Sequence, residues 1–224
     1  MIIGVCGFIG SGKDTIADYL VGFHGFRRDS FAGTLKDAVA AVFGWDRELL
    51  EGRTPEARAW REQVDQWWAD RLSMPNLTPR WVLQYWGTEV CRRAFHDDIW
   101  IAALEARLSR RSDHTVISDV RFPNEIISIR NAGGKIVWVK RGPLPTWYHV
   151  AKNANSGNVP AQQMLEGLGI HISETAWIGT EFDVEIDNNG TIEDLYNQVR
   201  SLVQVEPAST PDGFYKPLAD SLDK

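Results

Sequence analysis

The sequence predicts an α/β fold: a parallel sheet covered by helices on both faces. Three observations predict it. Apolar, β-branched runs alternate with segments of helical spacing at both ends of the chain, which is the pattern that strand–helix–strand crossovers leave in a sequence. The first such run ends in a glycine-rich turn, "GFIGSGKDT" (Gly7 to Thr15), and a helical stripe follows at once. Between the two alternating regions, residues 45–112 carry helical periods and no good strand.

The elements follow in order. "IIGVCGF" is a buried-strand pattern, and Ile16, Tyr19, Leu20 and Phe23 repeat at helical spacing after the turn. "FRRDSFA" is a second, weaker strand, followed by a helical stripe of Leu35, Ala38, Val39 and Val42. Trp60, Val64, Trp67, Trp68 and Arg71 suit one amphipathic helix, which "SMPNLTP" breaks. A further helix runs from Thr78, its N-cap, through Arg93, and Ile99, Ala103, Leu104 and Leu108 mark another. "TVISD" is a buried strand, "EIISIRNAGG" a helix ended by Gly133 and Gly134, and "KIVWVKR" a strand. "DVEIDNNG" is a strand and turn, and "TIEDLYNQVRSLV" a helix capped by Thr191.

This divides a single domain, 1–205, into a core (1–44, 113–141 and 179–205), a helical lobe (45–112) and a long segment (142–178) of weak periodicity. The segment reads equally as a lid and as a surface excursion. The last residues, 206–224, are rich in Pro, Gly and small polar residues and read as a tail.

Composition narrows the function classes. The chain has 224 residues, 43% hydrophobic and 24% charged, enough for a real core. Its net charge of −6 counts against a surface built mainly for nucleic-acid phosphates. The two cysteines are Cys6 and Cys91. Cys6 lies in a strand run and reads as a buried thiol in a reducing compartment, which predicts a cytoplasmic protein. No apolar run approaches a membrane span, and the N-terminus lacks the features of a secretory signal.

The chemistry concentrates in a few stretches. Gly7, Gly10 and Gly12 let backbone N–H groups converge on an anion, the following helix adds its positive end, and Lys13 supplies a charge for phosphates. The position after the lysine, where a Ser or Thr hydroxyl usually meets magnesium, holds Asp14. Thr15, one place later, is preferred for Mg²⁺, because a bare carboxylate beside phosphates is repelled. In "SDVRFPNE", Asp119 closes a strand where parallel sheets place ligands, suited to holding water on Mg²⁺ or to acting as a base. Arg121 suits a second phosphate; the bland reading is a local ion pair.

In "LQYWGTEVCRR", Gln84, Thr88 and Arg92 share a helix face, which also describes any solvated helix. Gly87 there costs about 1 kcal/mol against Ala, so it marks close approach of a ligand or another helix. Lys36 and Asp37 open the helix after the second strand. His171 and Glu174 in "HISE", with Glu181 and Asp183, fit no standard zinc spacing.

Taken in order, "GSGKDT", "FAGTLKDA", "LQYWGTE", "DDIWIAAL", "ISDVR", "GGKIVWVKR", "HISE" and "DVEIDNNGTIEDL" resemble the deoxynucleoside monophosphate kinases of tailed bacteriophages, within the phosphate-loop nucleoside monophosphate kinases. The resemblance runs from residue 1 to about 203, and "GKDT" is typical of that family. It implies a P-loop kinase with a five-stranded parallel core, ATP with Mg²⁺, and transfer of the γ-phosphoryl to a deoxynucleotide's 5′-phosphate. By the same resemblance Gly7, Gly10, Ser11, Gly12, Lys13, Asp14 and Thr15 form the ATP loop. Lys36, Asp37, Gln84, Gly87, Thr88, Arg92, His171 and Glu174 lie on the acceptor side. Lys13, Asp119 and Arg121 serve catalysis, and Thr15 and Asp119 serve the metal. Arg92, Arg93, Lys140 and Arg141 are further candidates for the acceptor phosphate. The lobe at 45–78 and the length of 142–170 depart from the family pattern.

Two rival readings stand beside this one. Related phage kinases phosphorylate the hydroxymethyl group of a modified pyrimidine in DNA, where Asp119 or Asp37 would act as base and Trp81 or Trp86 would stack a flipped base. A nucleotide-binding switch or ATPase is the second; it has no use for acceptor-side residues. The partner expected is a small-molecule nucleotide, with DNA only under the first rival and no membrane. The location expected is cytoplasmic, the host's if the chain is phage-encoded. The oligomeric state is left open between monomer and homodimer.

Overall fold

The computed structural model describes residues 1–204, so the expected tail lies outside the described residues. Five strands, β1 (Ile2–Cys6), β2 (Arg27–Asp29), β3 (Thr115–Ile117), β4 (Lys135–Lys140) and β5 (Val184–Asp187), form one sheet in the order β2-β3-β1-β4-β5. Every pairing is parallel. β1 is central, and its residues from Ile3 to Cys6 are buried, which is why this run is continuously apolar instead of alternating. In a parallel sheet all C-terminal strand ends share one edge. The turn after Cys6, Ser118 and Asp119, Arg141, and Asn188 therefore assemble there without any further device.

Twelve α-helices are described: α1 (Lys13–His24), α2 (Gly33–Phe43), α3 (Arg47–Glu51), α4 (Pro55–Arg61), α5 (Gln66–Leu72), α6 (Pro79–Gln84), α7 (Ile99–Leu108), α8 (Pro123–Asn131), α9 (Tyr148–Asn155), α10 (Val159–Gly167), α11 (Ile172–Thr175) and α12 (Ile192–Gln204). One face of the sheet packs on α1 and α12 through Ile16, Leu20, Leu195 and Val199. The other face packs on α8 through Ile126 and Ile129, and that core continues through Leu35, Val39 and Leu104 into the helices between β2 and β3. No helix among the described residues is long and apolar enough to cross a membrane. Cys6 is buried, as expected, and both cysteines are free.

Three expectations need correction. The stripe from Trp60 to Arg71 is two helices. α4 ends at Arg61, and Asp65 starts α5 by accepting from Trp68 N at 3.1 Å while also accepting from Trp45 Nε1 at 2.7 Å. A short carboxylate at that spacing outcompetes helix continuation. The helix beginning at Thr78 is α-helical only through Gln84; Tyr85–Arg93 is π-helical, with Ala94 N donating to Glu89 O. Finally, residues 142–178 are not irregular. They contain α9, α10 and α11 and bury Tyr148, Ala151, Trp177 and Ile178. Small residues (Ala151, Ala154) supply much of the buried face of α9, so the apolar period is faint in the sequence.

Apart from Trp67, which is 64% exposed, the tryptophans between β2 and β3 are packed structurally. Trp45 stacks on Phe43 with ring centres 4.4 Å apart, Trp68 Nε1 donates to Phe43 O (3.1 Å) and Trp100 Nε1 to Gly87 O (2.9 Å). Trp81, proposed to stack a flipped base, stacks instead on Tyr85 at 5.0 Å, and Trp86 meets Phe43 edge-on at 5.5 Å.

Candidate active site

The glycine turn leaves β1 and opens α1 as expected. Gly10 (φ 78°) and Gly12 (φ 105°) occupy left-handed backbone that other residues avoid. Lys13 lies across the loop and donates to Gly7 O (2.8 Å) and Phe8 O (2.7 Å). Burial, with the positive charge of Arg121 adding, lowers its ammonium to about 8. A half-buried cation held only by carbonyls, at the start of a twelve-residue helix, fits a polyphosphate. Asp14 points elsewhere: its carboxylate pairs with Arg28 at 3.0 Å, and Arg28 also reaches Asp18 at 3.3 Å. The Asp14 carboxylate is thus engaged by Arg28, and it also accepts from Ser118 Oγ at 3.4 Å.

Asp119 sits at the end of β3 and accepts from the backbone N–H groups of Phe31 (3.0 Å) and Ala32 (2.9 Å). It therefore fixes the start of α2. Arg121 donates to Glu174, and to Ser173 O at 3.3 Å. His171 caps α11, accepting from Ser173 N at 3.2 Å, and burial lowers its pKa. The "HISE" stretch thus has a mechanical reading: His171 sets the short helix that presents Glu174 to Arg121.

The acceptor-side residues divide. Lys36 pairs with Glu51 at 2.7 Å and Asp37 with Arg47 at 2.6 Å. Burial raises the Glu51 pKa, but Lys36 and Arg47 outweigh it and hold the carboxyl at about 2. Gly87 serves packing: a Cβ there would lie 2.8 Å from Leu35 Cδ2, so the close approach is by another helix. Arg92 is not available to a phosphate. It is 4% exposed, paired with Glu125 and, at 3.3 Å, with Asp97, and its guanidinium lies 3.9 Å from the centre of the Phe122 ring. Arg93 pairs with Glu89 at 2.7 Å and Lys140 with Glu185. Thr88 is buried and lines, with Arg92, Phe122 and Ile172, a cavity of about 340 Å³. Gln84, four residues before Thr88, is half-buried and is not among the residues that line it.

The sequence reading missed two cations. Arg80, in α6, bridges Glu62 (3.1 Å) and Glu174 (4.0 Å), so it shares a carboxylate with Arg121. Arg61, the last residue of α4, packs its guanidinium over Gly52 and leaves Nε buried without a partner among the described residues. Its pKa is lowered by burial and by the neighbouring charges of Arg80 and Arg121. Three guanidinium groups thus converge, and one of them, Arg121, also acts on Lys13. Both residues belong to a tryptophan-rich stretch legible only by its apolar period; no spacing in it marks an arginine as functional.

A parallel sheet with order β2-β3-β1-β4-β5, a glycine loop between its central strand and a helix, and cations gathered at the C-terminal strand edge define a phosphate-loop kinase. The comparisons with known proteins narrow this. The chain is 30% identical to a protein of Acanthamoeba polyphaga mimivirus provisionally named a deoxynucleotide monophosphate kinase, over 91% of this chain and 96% of the relative. It is 28% identical to the deoxynucleoside-5′-monophosphate kinase of Escherichia phage T5, over 56% of this chain and 70% of that one. The chain belongs to the deoxynucleoside monophosphate kinase family and is a kinase. No protein-family model matches it. Solved structures that overlap it include shikimate kinase from Aquifex aeolicus (12% identity, TM-score 0.42, covering 91% and 96% of the two chains). Dephospho-CoA kinase from Campylobacter jejuni overlaps similarly (16%, TM-score 0.40, 91% and 95%).

Proposed function

We propose that the chain transfers the γ-phosphoryl group of ATP, with Mg²⁺, to the 5′-phosphate of a deoxynucleoside monophosphate. The observation that carries this is the position of Arg121, which shares the Glu174 carboxylate with Arg80 and whose charge also acts on Lys13. Two groups of cations that share a member suit two phosphates brought together.

The loop from Gly7 to Thr15 holds the β- and γ-phosphates, with Lys13 turning from Gly7 O and Phe8 O to the polyphosphate. Thr15, with Asp119, would hold Mg²⁺, which would supply charge neutralisation, and Asp119 keeps its bonds to the backbone of Phe31 and Ala32. Arg61, Arg80 and Arg121 hold the acceptor phosphate. An acceptor oxygen forms the new bond to the γ-phosphorus as the bond to the β,γ-bridging oxygen breaks, and ADP leaves. A phosphate acceptor is already nucleophilic, so no general base is required. The cavity beside Thr88 and Phe122 suits the deoxynucleoside, with Gln84 at its approach. Residues 142–178 cover the site through Glu174 and exclude water. A cytoplasmic location accompanies this reading, the host's if the chain is phage-encoded.

The test is incubation of the pure protein with γ-labelled ATP, Mg²⁺ and a panel of acceptors: each deoxynucleoside monophosphate, hydroxymethylated forms, and DNA containing hydroxymethyluracil. Label on a free monophosphate is expected and names the base. Label on DNA alone, or free phosphate with no labelled acceptor, overturns the proposal.

A further inference from the structure

The turn after β5, Asp187 to Gly190, packs directly on the ATP loop, although nothing in its own chemistry points to phosphate. Asn188 Nδ2 donates to Ser11 O at 2.8 Å. The backbone N–H of Asn188 donates to Lys140 O at 2.8 Å, which anchors the residue to the end of β4. The contact is close enough to restrict the loop's sequence: a Cβ at Gly12 would lie 2.4 Å from Asn188 Nδ2. Gly12 is therefore required twice, by its φ of 105° and by the asparagine against it. The neighbouring residue holds the next segment. Asn189 Oδ1 accepts from Gly142 N at 2.7 Å, and Asn189 is itself fixed by Asp187 Oδ1, which accepts from its N at 2.9 Å.

We infer that Asn188 is a positioning residue for the ATP loop. A phosphate cradle works by aiming N–H groups inward, so its carbonyls must be turned outward and satisfied elsewhere. Ser11 O is one such carbonyl, and Asn188 Nδ2 satisfies it from outside the loop. Because Asn188 is tied to β4 and Asn189 to Gly142, the loop's shape is referenced to the sheet edge and to the start of residues 142–178. The inference deepens the ATP-loop part of the proposed function and rests on it, but does not depend on which acceptor is used.

The test measures binding, not turnover. Asn188→Ala and the near-isosteric Asn188→Asp, which keeps the shape but cannot donate to Ser11 O, are compared with the wild-type chain. The ligands are MgATP, MgGTP and inorganic tripolyphosphate with Mg²⁺, followed by titration calorimetry, with thermal melts alongside. The expected result is a loss of about five- to tenfold in affinity for Asn188→Ala, the equivalent of one hydrogen bond. The loss should be equal for all three ligands, larger for Asn188→Asp, and accompanied by little change in melting temperature. Unchanged binding in both variants overturns the inference. So does a loss confined to ATP, which would make Asn188 a base contact. A wild-type chain that binds none of the three ligands refutes instead the ATP-loop reading beneath it.

Discussion

Arg92 and Glu125 form an ion pair that is sealed from solvent, 4% and 3% exposed respectively, at the start of α8. Glu125 also accepts from Arg121 N (2.7 Å) and Phe122 N (3.1 Å), so the pair fixes the backbone that carries Arg121. Burial, with the charge of Asp119 adding, pushes the Glu125 carboxyl up to about 7 against the pull of Arg92. Removing Arg92 leaves the buried carboxyl without its cation and the backbone it holds less firmly fixed. Arg92→Met is expected to cost about 3–5 kcal/mol, read as a fall of roughly 10 °C in melting temperature. Combining Arg92→Met with Glu125→Leu should recover part of that loss. If Arg92→Met left stability unchanged and raised only the acceptor KM, the phosphate role set aside above would return.

Lys13 gives the nucleotide site a pH dependence with a definite sign. Burial and Arg121 hold its free pKa near 8. A bound polyphosphate favours the ammonium and raises that value. MgATP binding is therefore expected to take up a proton above about pH 8, to weaken as pH rises further, and to take up none from Lys13 below about pH 7. Titration in buffers of different ionisation enthalpy measures the uptake; release of a proton near pH 8.5 would contradict the assignment.

Arg61→Ala and Arg80→Ala are each expected to raise the KM for the acceptor monophosphate about 10- to 100-fold, the range of one charge-assisted hydrogen bond. The KM for ATP should stay within about twofold. A deoxynucleoside lacking phosphate should bind wild type and variants alike, which separates lost phosphate contacts from a distorted lobe. Parallel loss of nucleoside and monophosphate binding would make both arginines structural.

Gly87→Ala should destabilise the chain by about 1–3 kcal/mol through overpacking, since the new Cβ falls 2.8 Å from Leu35 Cδ2. Leu35→Val in the same chain should restore much of it. Failure of the second substitution to help, in a urea melt, would mean that a ligand, not α2, needs the space.

Glu51 governs part of the acid limb. Its folded pKa is about 2, well below the ordinary carboxyl value, because Lys36 and Arg47 outweigh its burial. A depressed carboxyl contributes stability above the unfolded pKa, and that contribution fades as pH falls from about 4.5 to 2. Glu51→Gln should lower stability at pH 7 by about 2 kcal/mol after solvent screening and flatten the loss between pH 5 and 2. Denaturant melts across that range show whether the two curves converge.

Much of this architecture is legible in the chain. Ile2–Cys6, the turn to Lys13 and the stripe of Ile16, Tyr19 and Leu20 announce a strand, an anion loop and a helix, and all three form. Thr191 caps α12 as its spacing predicts, with Asp194 N donating to Thr191 Oγ1 at 3.2 Å. Two kinds of error recur elsewhere. Period alone does not report a break enforced by one capping side chain, as at Asp65. Nor does it report the wider turn that carries Tyr85 to Arg93, where Gly87 must clear Leu35. The residue types of Arg92 and Arg61 are identical, yet one is sealed against Glu125 and the other lies beside two further guanidinium groups, those of Arg80 and Arg121. Only the partners differ, and partners are distant in sequence.

The sequence by itself determined the parallel sheet, the phosphate loop and the order of its elements, because these rest on local spacing: apolar runs, glycines at turns, and caps a few residues apart. The tertiary structure alone decided which charges are free to act. It spent Asp14 on Arg28, Asp119 on the start of α2 and Arg92 on Glu125, brought Arg61 and Arg80 to Arg121, and laid Asn188 against Gly12 from 176 positions away. The availability of a charge depends on the whole set of neighbours that share its desolvated space, and only the folded chain sets that list.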